Sequence, residues 1–144
     1  MNAPVLADTS FWMSLLIQRD VRHARAVVWQ SWLKSSSTPL ITTEAVLWEL
    51  LNGLAVPSLR AIAHQVYIGC HEDDRIDVVG FRQDLVKSAL RLYASRQDKD
   101  WGLTDCFSFV VMDAKGIKAA LTADRHFEQA GYQALLLREP PPAK

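Results

Sequence analysis

Residues 4–18 read PVLADTSFWMSLLIQ. Pro4 to Ala7 is short and apolar, and Asp8-Thr9-Ser10 ends it. From Phe11 to Gln18 the large apolar side chains Trp12, Leu15 and Leu16 recur at helical spacing. A strand therefore runs straight into a helix, with an aspartate at the junction.

The same alternation continues along the chain. A second helix is expected from Val21 to Lys34, with Ala24, Val27, Val28 and Leu33 on its apolar side and Arg22, Arg25 and Lys34 left for solvent. The run Ser35 to Pro39 punctuates the chain. Leu40-Ile41 is a short strand, and Thr42 or Thr43 suits the cap of a helix running through Trp48 to Gly53. Pro57 starts the next helix, to about Gly69. Ile76 to Val79 reads as a buried strand and Phe81 to Ser95 as a longer helix; Arg96 to Gly102 is a polar loop. The helix from Thr104 to Lys115 ends at Gly116. Ala119 to Thr122 is a strand followed at once by Asp124, and Ala134 to Leu137 is expected as the last strand, before Arg138-Glu139-Pro140-Pro141-Pro142, which cannot pair as a central strand.

Short apolar strands alternating with helices indicate a parallel sheet covered on both faces, a three-layer α/β/α domain with about four to five strands. No linker or repeat divides it. Residues 1–138 form the expected single domain, and 139–144 a short proline-rich tail. In open parallel sheets the ligand site lies outside the carboxyl ends of the strands, so polar residues directly after strands have first claim to function.

Composition narrows the function classes. At 144 residues and 49% hydrophobic content the chain can bury a core without disulfides. Cys70 and Cys106 stand at no metal-ligand spacing, and a reducing cytoplasm is the expected compartment. No apolar run approaches the roughly 20 residues that cross a bilayer, so no membrane association is expected. Sixteen Lys and Arg balance sixteen Asp and Glu. That neutrality does not favour a nucleic-acid binder, but it allows an acidic pocket ringed by bases.

The acids differ in what they say. An aspartate before a helix is an ordinary N-cap, and one in a first turn is favoured by the helix dipole. Taken singly, Asp8, Asp105 and Asp124 are accounted for in that way. Glu49 is not, because it sits mid-helix among large apolar residues and shares a face with Ala45, Val46 and Gly53. Glu44, in the first turn, is its competitor. Asp8 and Asp124 both follow strands, and Glu49 lies two turns into the helix after the second strand, so a doubly wound sheet can gather them. Several ionised carboxylates in one cleft need raised pKa values or a divalent cation. All-oxygen coordination suits Mg²⁺ or Mn²⁺.

Four blocks, Asp8-Thr9-Ser10, Thr43 to Leu50 as T-x-x-V-x-x-E-L, Leu103-Thr104-Asp105-Cys106, and Thr122 to Phe127 followed by Gly131-Tyr132, together resemble the PIN domain, in particular the VapC-like toxins. Asp98 to Gly102 also resembles that family. The resemblance implies a parallel sheet with an acidic cluster at its carboxyl ends and Mg²⁺-dependent cleavage of single-stranded RNA loops, with Mn²⁺ as a substitute. It also implies a homodimer and a small VapB-like antitoxin partner. Carried over residue by residue, Asp8, Glu49 and Asp105 bind the metal and Asp124 completes the quartet. Thr9 and Ser10 support the first aspartate, and Asp100 belongs to the rim.

Substrate grip is expected from bases near these motifs, among Arg19, Arg22, Arg25, Lys99, Arg125 and His126, with Arg125 and His126 placed best by their adjacency to Asp124. The aromatic group Phe11, Trp12, Trp29 and Trp32 is core or, as a second expectation, part of a groove for an antitoxin helix or a dimer contact. Rival readings are a non-catalytic PIN-like binding module and a metal-dependent phosphatase or DNA nuclease, since an acidic cluster does not choose the polymer.

Overall fold

The computed structural model of the protein describes residues 2–142. In chain order its elements are β1 (Val5–Ala7), α1 (Thr9–Leu16), α2 (His23–Ser36), β2 (Leu40–Thr43), α3 (Glu44–Gly53), α4 (Pro57–Glu72), β3 (Ile76–Val79), α5 (Gln83–Ser95), α6 (Leu103–Lys115), β4 (Ala119–Leu121), α7 (Arg125–Gln129) and β5 (Gln133–Ala134). A single 3₁₀ turn, Leu135–Leu137, follows. The strands form one parallel sheet in the order β3-β2-β1-β4-β5. The chain moves outward from β1 to β3, then crosses back to β4 on the other side of β1. The order thus reverses between β1 and β4, the switch point at which such sheets bind ligands.

Each face of the sheet has its own core. One gathers Phe11, Trp29, Leu47, Leu50 and Leu136 under α1 to α4. The other gathers Leu85, Phe107, Phe109, Met112 and Phe127 under α5 to α7. This is the expected three-layer arrangement, and right-handed crossovers require it: helices lie on one face while the chain winds one way and on the opposite face when it winds back. Cys70 and Cys106 are buried in opposite cores, as free thiols. Among the described residues no helix is long and apolar enough to cross a membrane.

Local chemistry explains where the helices begin and end. Thr43 caps α3, its hydroxyl accepting from the Val46 amide at 3.0 Å. Thr42 instead donates to the Ala7 carbonyl at 2.9 Å, tying β2 to β1. Gly116 ends α6 at a φ of +67°, where its lack of a Cβ makes the left-handed turn inexpensive.

Several expectations are corrected. The last strand is only Gln133–Ala134, because Leu135 and Leu136 both pack into the same core, under α1 to α4; consecutive strand residues would point to opposite faces, and the chain coils into the 3₁₀ turn instead. Phe81 precedes α5 and stands half exposed. α1 begins at Thr9, directly after Asp8. The aromatic group is mainly core: Phe11, Trp12 and Trp29 are buried and Trp32 only partly so. The end of the chain packs on α2, where the Trp29 indole donates to the Arg138 carbonyl at 3.0 Å. Of the proline-rich tail, residues 143 and 144 lie outside the described residues.

Because the Thr43 cap is fully buried, Thr43→Ala leaves the Val46 amide without water or a partner. The variant is expected to lose about 1 to 2 kcal/mol of stability, read as a lower urea midpoint with an unchanged slope; an unaltered midpoint would show that the cap contributes nothing.

Candidate active site

Four acids converge on the carboxyl end of the sheet, each delivered by a different element. Asp8 follows β1, Asp124 follows β4, Asp105 lies in the first turn of α6, and Glu49 lies in the second turn of α3. Asp8 occupies the N-cap position of α1, yet its side chain makes no cap bond. Capping does not account for it. It is buried, and its Oδ2 accepts from the Thr122 hydroxyl at 2.8 Å. Asp124 does cap α7, its Oδ1 accepting from the His126 amide at 2.9 Å.

Thr122 is the hub that the sequence did not single out. Its fully buried hydroxyl donates to Asp8 and accepts from the Asp124 amide at 3.0 Å, and the Ser10 hydroxyl lies 3.1 Å away. The Ser10 oxygen also accepts from the Ala123 amide at 3.2 Å. The two strand-terminal acids on either side of the switch point are thereby held by one oxygen. Ser10 supports Asp8 only through Thr122, and the buried Thr9 hydroxyl has no partner among the described residues. A small hydroxylated residue two positions before a strand-terminal acid was the available signal.

The second part of the site is built around His126. Its Nδ1 lies 3.0 Å from Asp105 Oδ2 and 3.3 Å from Asp124 Oδ1. Ligand atoms of these three residues all fall within 4.8 Å of one another. The short helix α7 holds this geometry because aromatic packing anchors it to α6. Phe109 of α6 meets Phe127 edge-on at a centroid distance of 4.9 Å, Trp101 at 5.0 Å and Tyr132 in a stack at 5.7 Å. The Trp101 indole then donates to Gln129 at 3.0 Å.

Electrostatics set the condition of the acids. Burial pushes Asp8 up to about 7, against the pull of the Thr122 bond, and the charges of Asp105 and Glu49 add to the rise. Burial likewise raises Asp105, partly offset by its bond to His126, with the charge of Asp124 pushing it further. Burial alone would lower the His126 imidazole, but the Asp105 bond and the charges of Asp124, Asp105 and Asp100 outweigh it and hold it above its usual value. Asp100 thus lies close enough to act on the cluster, though it is not among the three gathered groups.

The remaining expected residues take other places. Glu49 is exposed and lines a cleft of about 310 Å³ beside the acids. Glu44 accepts from the Tyr67 hydroxyl at 3.0 Å and lies 2.7 Å from His71 Nε2, so it is engaged between α3 and α4. Arg125 pairs with Glu128 at 2.9 Å, and Arg25 with Glu139 at 2.5 Å. Lys99 lies 3.9 Å from Asp98. The donor set is carboxylate oxygen with one imidazole, and Asp8 is buried without a cationic partner among the described residues. Such a set fits a hard divalent cation.

Comparison with known proteins identifies the family and the fold. A family model described as "PIN domain" matches residues 5–132. The chain is 30% identical over 135 residues to the 23S rRNA-specific endonuclease VapC20 of Mycobacterium tuberculosis, in two strains, covering 89% of this chain and 95% of the relative. The solved structure of VapC20, described as a Sarcin-Ricin loop cleaving toxin, superimposes with a TM-score of 0.75 at 28% identity, over 89% of this chain and 95% of that one. FitAcB from Neisseria gonorrhoeae superimposes with a TM-score of 0.63 at 16% identity, over 90% and 94% of the two chains, a likeness of fold alone.

Two outcomes are expected from this geometry. A carboxyl that ionises near 3.9 in the unfolded chain but near 7 in the fold contributes stability that is fully present below about pH 4 and is lost as pH rises through 7. In EDTA at pH 8 Asp8→Asn should therefore be more stable than the wild type, by up to roughly 4 kcal/mol, and the gap should close toward pH 4. Adding Mg²⁺ should stabilise the wild type more than the variant; equal thermal midpoints in EDTA at pH 8 would contradict the buried charge. Thr122→Val, which keeps the shape but removes the hub, should weaken divalent-cation binding by calorimetry roughly 10- to 100-fold.

Proposed function

This chain belongs to the PIN-domain family, and from that premise we propose that it is a metal-dependent endoribonuclease, the VapC-like toxin of a toxin–antitoxin pair. The observation that carries the reading is the gathering of Asp8, Asp105 and Asp124, with Glu49 at the flank, on the switch point of a parallel sheet. No cationic side chain other than His126 meets Asp105 or Asp124 among the described residues. The likeness to VapC20, an endonuclease over nearly its whole length, supports the same chemistry.

In this reading Asp105, Asp124 and Asp8 would hold a divalent cation, with Glu49 at the flank on α3. Bound there, the cation would supply Lewis-acid activation of a water and stabilisation of the leaving oxygen's charge. Mg²⁺ suits the oxygen donors and Mn²⁺ substitutes for it. The chain's own part is to hold geometry. Thr122 fixes Asp8 against Asp124, and the α6–α7 aromatic packing fixes Asp105 against His126. Water adds to phosphorus as the P–O3′ bond breaks, the 3′ oxygen takes up a proton, and the products carry 5′-phosphate and 3′-hydroxyl ends. Asp100 and Thr9 are rim and packing residues in this scheme.

RNA as the polymer follows from the family and from VapC20's action on ribosomal RNA. A VapB-like antitoxin is the proposed partner. The working assembly is proposed as a homodimer acting in the cytoplasm.

Purified protein is expected to cut total cellular RNA with Mg²⁺ or Mn²⁺, to stop in EDTA, and to leave single-stranded and duplex DNA intact. Asp105→Asn and Asp124→Asn should each lower the rate at least roughly 100-fold. Cleavage that persists in EDTA, or DNA cut as readily as RNA, would overturn the reading.

A further inference from the structure

Between α3, α5 and α6 a cleft of about 310 Å³ opens beside the acids, and its wall runs from Glu49 to Thr104, the residue before Asp105. Trp48 and Phe81 stand at it, 56% and 50% exposed, with ring centroids 5.6 Å apart and edge to face. Phe107 lies behind Phe81 at 5.9 Å. Asn52 and Thr104 are the neutral polar groups of the lining, and Glu49 is its charged one.

Folding does not explain this pair of rings. Two large aromatics left half in water next to each other mark a surface that receives something apolar. A phosphate is excluded as the occupant, because the lining offers it a carboxylate and no cation. The volume sits at the bottom of the range of about 300 to 1,000 Å³ for small-ligand sites, which suits one flat ring rather than a helix. A neutral heterocycle that stacks on an indole and meets an amide at its edge fits the size, the charge and the polar groups together. Continuity with the acids supplies the source, since Glu49 lines the cleft and Thr104, beside it, directly precedes Asp105: a nucleotide joined to the phosphate under attack is the ring that lies beside this wall.

We propose that this cleft receives an unpaired base of the RNA adjoining the scissile phosphate, stacked on Trp48 and contacted at its edge by Asn52. The proposal rests on the ribonuclease reading and deepens it. It makes the base next to the cut a specificity determinant and restricts cleavage to RNA whose base can swing out of a helix.

The test uses the full-length protein and a short single-stranded RNA that the wild type cuts at one bond, with an abasic nucleotide placed at each flanking position in turn. One abasic position beside the cut should lower wild-type kcat/KM roughly 5- to 100-fold, the range of a lost base–aromatic stack. Trp48→Ala should lower kcat/KM on the intact RNA by a similar factor, mainly through KM, and should no longer respond to that abasic position; Trp48→Phe should retain most of the activity. Effects of Trp48→Ala and the abasic position that simply multiply would overturn the proposal. So would a Trp48→Ala protein that changes its sedimentation from dimer to monomer while abasic substitution has no positional effect, which would give the cleft to a second copy of the chain. If the wild type cuts no RNA with Mg²⁺ or Mn²⁺, the ribonuclease reading itself fails and the proposal falls with it.

Discussion

The 2.8 Å bond from the Thr122 hydroxyl to Asp8 ties together the carboxyl ends of β1 and β4, where the two halves of the sheet meet. β1 and β4 are three-residue strands, so their ladder alone fixes little beyond the strand ends. Magnitudes show what this bond can and cannot do. A hydrogen bond to a charged group stabilises by about 1.5 to 3 kcal/mol net, yet with the Thr122 bond already in place burial and the charges of Asp105 and Glu49 still hold Asp8 up at about 7. Thr122 orients the carboxyl but does not offset its desolvation. What remains must be met by a proton or, in the proposed reading, by a divalent cation.

The surrounding fold has to over-determine a cluster that repels itself. It does so unequally on the two faces. Under α1 to α4 the core is mostly aliphatic around Phe11, Trp12 and Trp29, and it clamps the end of the chain through Trp29. Under α5 to α7 an aromatic set centred on Phe109 reaches α7, a helix too short to be stable by itself. Asp124 and His126 owe their positions to that packing rather than to helix propensity. A change at Trp101 or Tyr132 thus reaches the acids without touching them.

What the sequence shows of this arrangement follows from the range of each interaction. β1 and Asp8, the Thr43 cap and the Gly116 stop are local, and residue order within a few positions reveals them. The helix α7 escapes because five residues carry no periodicity to read. The last strand is misread for a related reason: Ala134 to Leu137 is continuously apolar, and an apolar run does not say whether it extends or coils. Thr122 and Asp8 are 114 positions apart, so no pattern pairs them. Asp105 and His126, 21 positions apart, are joined only by the turn of α7. The aromatic group of the first two helices reads equally as core or as interface, and burial alone separates Phe11, Trp12 and Trp29 from the exposed valines beside them.

Net charge explains why the surface beside the acids matters. A chain with a net charge of zero offers RNA little net long-range attraction. The acids themselves repel phosphate until a cation is in place. Attraction must therefore come at short range, from the bound cation and from contacts that ignore charge. Stacking is such a contact, and it needs a base that is free of its partner. In the proposed reading a neutral protein with an acidic centre is for that reason better suited to opened loops than to duplex, with selectivity carried by shape and base exposure more than by a field that reaches into solution.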